Sequence, residues 1–84
     1  MPTVWKFDGF RVVIYPNDHR PAHVHVISGG RLVAVYNLHC PHGPVELRER
    51  YSGTPAQLRR IKAELNEHLA ELCRRWEQVH GRPV

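Results

Sequence analysis

The sequence predicts an α+β fold: an antiparallel sheet of four to five strands with one long C-terminal helix packed on it. Three local signals carry that prediction. Asp8-Gly9 and Gly29-Gly30 each stand between strand-like apolar runs, where a two-residue turn closes a hairpin. Thr54-Pro55-Ala56-Gln57 combines a capping box with a proline at the first helical position, and apolar residues at helical spacing follow it. Eighty-four residues suit one domain, with mainly β hairpins over 1–53 and a helix over 54–80. A chain of this size buries about 60–65% of its unfolded surface, enough for one sheet under one helical layer.

The first hairpin runs through Trp5-Lys6-Phe7, turns at Asp8-Gly9 and returns along Phe10 to Tyr15. Phe7 then pairs with Phe10, which puts Trp5, Phe7, Phe10, Val12 and Ile14 on one face. Val4, Lys6, Arg11, Val13 and Tyr15 take the other, and the first set is the core face. A loop from Pro16 to Pro21 leads into a second hairpin, His23 to Ile27 and Leu32 to Leu38, turning at Gly29-Gly30. The expected register pairs Ser28 with Arg31, Val26 with Val33 and Val24 with Val35. His25 then lies opposite Ala34, and His23 opposite Tyr36. The four valines form the core face, leaving the histidines with Ile27, Leu32 and Tyr36 on the reverse. His39 to Pro44 reads as a loop and Val45 to Arg50 as a short edge strand. In the helix, Leu58, Ile61, Leu65, Leu69, Leu72, Trp76 and Val79 keep one stripe through about six turns, and Gly81 and Pro83 end it.

Composition excludes several classes. No apolar run approaches the ~20 residues that span a bilayer, and the start has no signal-peptide architecture. Cys40 and Cys73 are too few for a disulfide scaffold and sit in unlike contexts, which fits a reducing compartment; the expected location is the cytoplasm. Formal charge is +4, with six Lys/Arg against four acids both in 1–53 and in 54–84. An excess spread in this way permits nucleic-acid binding through a folded surface without demanding it.

The chemistry concentrates in Asp18-His19-Arg20-Pro21-Ala22-His23-Val24-His25. On a strand, His23 and His25 project from one face. Imidazole ligates metals, holds phosphate and titrates near neutrality, so three functional readings arise beside the bland one of a turn cap and a decorated sheet. Asp18, His19, His23, His25 or His68 could ligate a metal. Closed zinc sites usually carry cysteine pairs or a His-Glu-x-x-His helix, however, and neither is present. No tightly held structural zinc, and no cofactor, is expected. His23, His25 and His68 are candidates for acid–base cleavage of phosphodiesters. Asp18, His19, Arg20, His23 and His25 are candidates for anion recognition. Arg59, Arg60 and Lys62 add cations just after the helix start, where the dipole favours negative charge, and suggest a second anion site. His68, flanked by Glu64 and Glu71 at the stripe's edge, reads first as an interface histidine.

Met1-Pro2-Thr3 before a glycine hairpin, Asp18-His19-x-Pro21-x-His23-x-His25, the Gly29-Gly30 turn and His68-x-x-Glu71-Leu72-x-x-x-Trp76-Glu77 together resemble a bacterial family, domain of unknown function 4160. The likeness covers nearly the whole chain. Many relatives have a second proline where Ala22 stands, and His39-Cys40-Pro41-His42 is not a family feature. The resemblance implies a small bacterial or phage protein of the toxin–antitoxin or regulator kind, without an established activity. The leading expectation is therefore a nucleic-acid-associated or regulatory module, contacting RNA or DNA through Arg20, Arg59, Arg60 and Lys62. A small histidine-dependent hydrolase such as a ribonuclease is the alternative. A third is a protein-binding partner whose apolar reverse face, with Leu32 and Tyr36, is covered by another subunit; a small protein encoded by a neighbouring gene is a candidate partner.

Overall fold

The computed structural model describes residues 3–81. Met1 and Pro2 of the N-terminal motif and Pro83 beyond the helix lie outside the described residues. Five strands, β1 (Thr3–Phe7), β2 (Phe10–Val13), β3 (His23–Ser28), β4 (Arg31–Asn37) and β5 (Glu46–Arg50), precede two helices, α1 (Pro55–Glu67) and α2 (Leu69–His80). The strands form one antiparallel meander in chain order. The α+β class and the strand number agree with the sequence pattern; the single long helix does not.

The hairpin chemistry is as the turns require. Asp8 and Gly9 both have positive φ (48° and 81°), the type I′ condition, and Phe7 pairs with Phe10. Phe10, Val12 and Ile14 are buried in the core, with Trp5 and Phe7 packed against it.

The second hairpin departs from its expected register. Ser28 pairs with Arg31 and Ile27 with Leu32, but Val26 then faces Ala34, with Val33 as the extra residue of a bulge. Every later residue of β4 is displaced by one and changes face. Val24 now pairs with Tyr36, His25 with Val35 and His23 with Asn37. Tyr36 therefore belongs to the core, where its hydroxyl donates to the Leu58 carbonyl at 3.1 Å, and Val35 takes its place beside the histidines. Val33 remains in the core cluster, since the bulge allows it and Ala34 to face the helices together.

Helix α1 opens as its sequence dictates. Thr54 Oγ1 accepts from the Gln57 amide (3.1 Å), and Gln57 Oε1 accepts from the Thr54 amide (2.9 Å). The expected continuous helix is interrupted at His68 (φ −112°, ψ 23°). Pro55 to His80 as one straight helix would run about 39 Å at 1.5 Å per residue, beyond the molecule's longest extent of 32 Å. Bending at His68 instead returns the chain over the sheet. Leu69, Leu72, Cys73 and Trp76 are buried after the bend, as Ile61 and Leu65 are before it, whereas Val79 lies exposed.

The two cysteines are bonded to each other, Cys40 to Cys73, with a Cα–Cα distance of 5.8 Å. This corrects the reading of them as unrelated residues. The loop before β5 folds under the bend: the Val45 amide donates to Asn66 Oδ1 (2.8 Å), and Gly43 lies so close to Leu69 that a Cβ there would come within 2.6 Å of its side chain. That closeness brings Cys40 to the buried side of α2. No helix among the described residues is long and apolar enough to cross a membrane.

The bend is held from the first hairpin. Glu64 accepts from the Trp5 indole N–H (2.8 Å) and from Arg60 (3.0 Å), and it lies 3.2 Å from His68 Nε2. The indole hydrogen bond, aided by Arg60 and His68, holds the Glu64 carboxyl below its ordinary range despite burial. A carboxylate with a folded-state pKa below its unfolded value stabilises the fold above the unfolded pKa, and that contribution is lost as pH falls through the folded one. Glu64→Ala is expected to cost about 1–3 kcal/mol at pH 7 and to flatten the acid limb of the stability profile. Urea melts between neutral and acid pH measure both, and an unchanged acid limb would remove Glu64 from this role.

Candidate functional site

The chain between β2 and β3 is built to present one carboxylate. Asp18 closes the turn on Tyr15 twice: its amide donates to the Tyr15 carbonyl (3.1 Å), and its Oδ2 accepts from the Tyr15 amide (3.0 Å). Helix α2 ties down the same loop. His80 Nε2 donates to the Tyr15 carbonyl (3.0 Å), while Arg20 donates to the His80 carbonyl (3.3 Å). A cation on the last carbonyls of a helix is favoured by the helix dipole.

His23 opens β3 as a buried residue, its ring 5.4 Å from that of Trp76. Its Nδ1–H donates to the Pro21 carbonyl at 2.9 Å, and since a carbonyl only accepts, the proton is assigned to Nδ1. Nε2 is thereby turned to Asp18 Oδ1, 3.6 Å away. His25 follows on the same side of the strand, with Nδ1 3.7 Å from Asp18 Oδ2 and the Tyr15 ring edge-on at 5.0 Å. Donor atoms of Asp18, His23 and His25 all lie within 4.8 Å of one another. Burial holds the His25 pKa below its ordinary value against the opposing pull of Asp18; His23 and Arg48 push in the same direction as burial, and Glu49 opposes it. Lys6 and Arg11 lie opposite each other on the reverse face of the first hairpin, the sheet face that His25 also occupies.

Three residues of the Asp-His-x-Pro-x-His-x-His signature thus converge from a turn and one strand. A family model described as Domain of unknown function (DUF4160) matches residues 9–77, well over half of the chain. The chain belongs to the DUF4160 family. No curated protein and no solved structure matches it.

In this DUF4160 protein the remaining candidates fall elsewhere. His19 is exposed beside the cluster, and Arg20 is engaged by α2. His68 lies against Trp5, ring centroids 4.0 Å apart, and against Glu64, so it is an interface histidine apart from His23 and His25. The cations after the start of α1 do not act as a set. Arg60 is held by Asp8 (2.9 Å) and Glu64 and lies over the Phe7 ring, while Arg59 and Lys62 are exposed. The capping box also takes up the Gln57 amide, and Pro55 has none, which leaves little at that helix start to hold an anion. Two participants were not among the sequence candidates. Tyr15 shares a face with Arg11 and Val13 by simple alternation, a signal that could have found it. Nothing in the pattern marks the Pro21 carbonyl as the acceptor that sets the tautomer of His23.

Proposed function

We propose that this DUF4160 protein is a small nucleic-acid-associated or regulatory module of the bacterial toxin–antitoxin kind, cytoplasmic, whose working surface is the reverse face of the sheet around His25. The observation that carries the reading is the position of His25 on the sheet face opposite the helical core, with Asp18 and the Trp76-backed His23 beside it, Lys6 and Arg11 on the same face, and Arg48, next to Glu49, near enough to bear on it. Arginine and lysine there would meet phosphates, and the imidazoles would add a specific contact. Of the cations expected from sequence, Arg59 and Lys62 stand exposed on helix α1, in the layer on the other side of the sheet from this face, and Arg20 and Arg60 serve the fold.

The test is binding of short RNA and duplex DNA over a range of salt concentrations. Affinity should fall as salt rises, and Arg11→Ala with Arg48→Ala should reduce the salt slope by about 1.5–2. The pair Arg59→Ala and Arg60→Ala is a poor probe, because Arg60 holds the first hairpin. Disulfides are rare in the cytoplasm, so both oxidised and reduced protein belong in the measurement. A second reading is favoured by the fixed tautomer of His23 beside His25: a histidine-dependent hydrolase, for which RNA breakdown lost in His25→Ala would be the sign. No affinity for either nucleic acid at low salt would sink the leading reading and favour a small protein partner from a neighbouring gene.

A further inference from the structure

His23 Nε2, His25 Nδ1 and the Asp18 carboxylate are turned toward one another. In the tautomer whose Nδ1–H donates to the Pro21 carbonyl, Nε2 of His23 carries the ring's free lone pair. His25 Nδ1 is buried and has no hydrogen-bond partner among the described residues. The separations to Asp18, 3.6 and 3.7 Å, are too long for hydrogen bonds. Ligands around a tetrahedral ion with bonds of 2.0–2.1 Å stand roughly 3.3–3.5 Å apart; the two separations to Asp18, one to each carboxylate oxygen, are close to that, and one donor atom from each residue lies within 4.8 Å of the other two.

We propose that Asp18, His23 and His25 bind one divalent first-row transition ion through His23 Nε2, His25 Nδ1 and an Asp18 oxygen. Two imidazoles with one carboxylate suit zinc, iron, cobalt or nickel, whereas magnesium and calcium prefer oxygen alone. The supporting bonds are of the kind metal ligands receive: the Pro21 carbonyl orients His23, and the Tyr15 amide holds Asp18. With three protein ligands this is an open site rather than the closed four-ligand zinc that the sequence argued against. A water or a phosphate oxygen would complete it from the side of His25, which is less buried than His23. The site goes beyond the nucleic-acid reading and stands whether or not the protein meets nucleic acid.

A second cluster, Glu64, Glu67 and His68, also brings three donors together, but Glu64 already has the Trp5 indole and Arg60 as partners. It supplies the internal control. Tag-free, chelator-stripped protein, kept oxidised so that Cys40 and Cys73 stay bonded, is titrated calorimetrically with zinc chloride and with nickel chloride. One equivalent of metal should bind and raise Tm. Asp18→Asn, which keeps an oxygen for the Tyr15 amide, and His25→Ala should each weaken binding by at least about 100-fold, while His68→Ala leaves it unchanged. Melting in the absence of metal identifies any variant that has lost its fold, and the other variant then decides. The proposal is overturned if the wild type shows no saturable binding. It is overturned equally if a folded Asp18→Asn or His25→Ala variant keeps full affinity, or if His68→Ala abolishes binding.

Discussion

Replacing Trp76 with alanine is expected to lower the unfolding free energy by about 3–5 kcal/mol. The side chain is fully buried at 0% exposure, in the cluster formed by both helices and the sheet. It is also a junction. Its ring stacks on His80 (centroids 4.0 Å apart) and lies 5.4 Å from that of His23, so one residue of α2 backs both the loop anchor and the candidate site. Deleting it leaves a cavity that the tied loop and the disulfide-bonded helix cannot readily collapse to fill. Trp76→Phe is expected to cost less, about 1–3 kcal/mol, because it removes less volume and because Nε1 has no hydrogen-bond partner among the described residues to forfeit. Urea unfolding with both variants measures the pair of values. A loss below about 1 kcal/mol in Trp76→Ala would mean that the ring does not carry this part of the core.

What the sequence made legible, and what it hid, follows from how local each signal is. Asp8-Gly9, Gly29-Gly30 and the Thr54–Gln57 box act within a few residues, and all three stand in the structure as read. The register of β4 fails where the alternation is silent. Leu32-Val33-Ala34-Val35 is apolar throughout, so no polar residue marks the face, and a bulge at Val33 leaves the pattern unbroken while it exchanges Tyr36 for Val35. The bend at His68 is hidden for a related reason: the stripe from Leu58 to Trp76 keeps its spacing through it, and only the size of the sheet makes the bend necessary. In the candidate site, the shared face of His23 and His25 is visible in their spacing, and Asp18 in its neighbourhood. The duties of Arg20 and Arg60 are not, because their acceptors, the His80 carbonyl and Asp8, are 60 and 52 residues away in the chain.

Opening the Cys40–Cys73 bond is expected to cost about 3–4 kcal/mol, the loop-closure value for a cross-link spanning 33 residues. The loop encloses β5, all of α1 and the bend, so the cross-link restricts much of the unfolded chain. The native contacts beside it do not depend on it. Val45 still has Asn66, Gly43 still meets Leu69, and the core cluster joins both helices to the sheet. Most of the effect should therefore lie in the unfolded ensemble, with the reduced protein folded but less stable. Urea midpoints with and without reductant measure the difference, and Cys40→Ala with Cys73→Ala should resemble the reduced protein and ignore reductant. The urea m-value should rise once the bond is open, because a freed chain exposes more surface on unfolding. A midpoint that does not move, in a protein shown by thiol titration to change from bonded to free, would mean that the unfolded chain already holds these ends together. The cross-link would then stabilise nothing, and the closeness of the His39–Pro44 loop to α2 would rest on Asn66 and Leu69 alone.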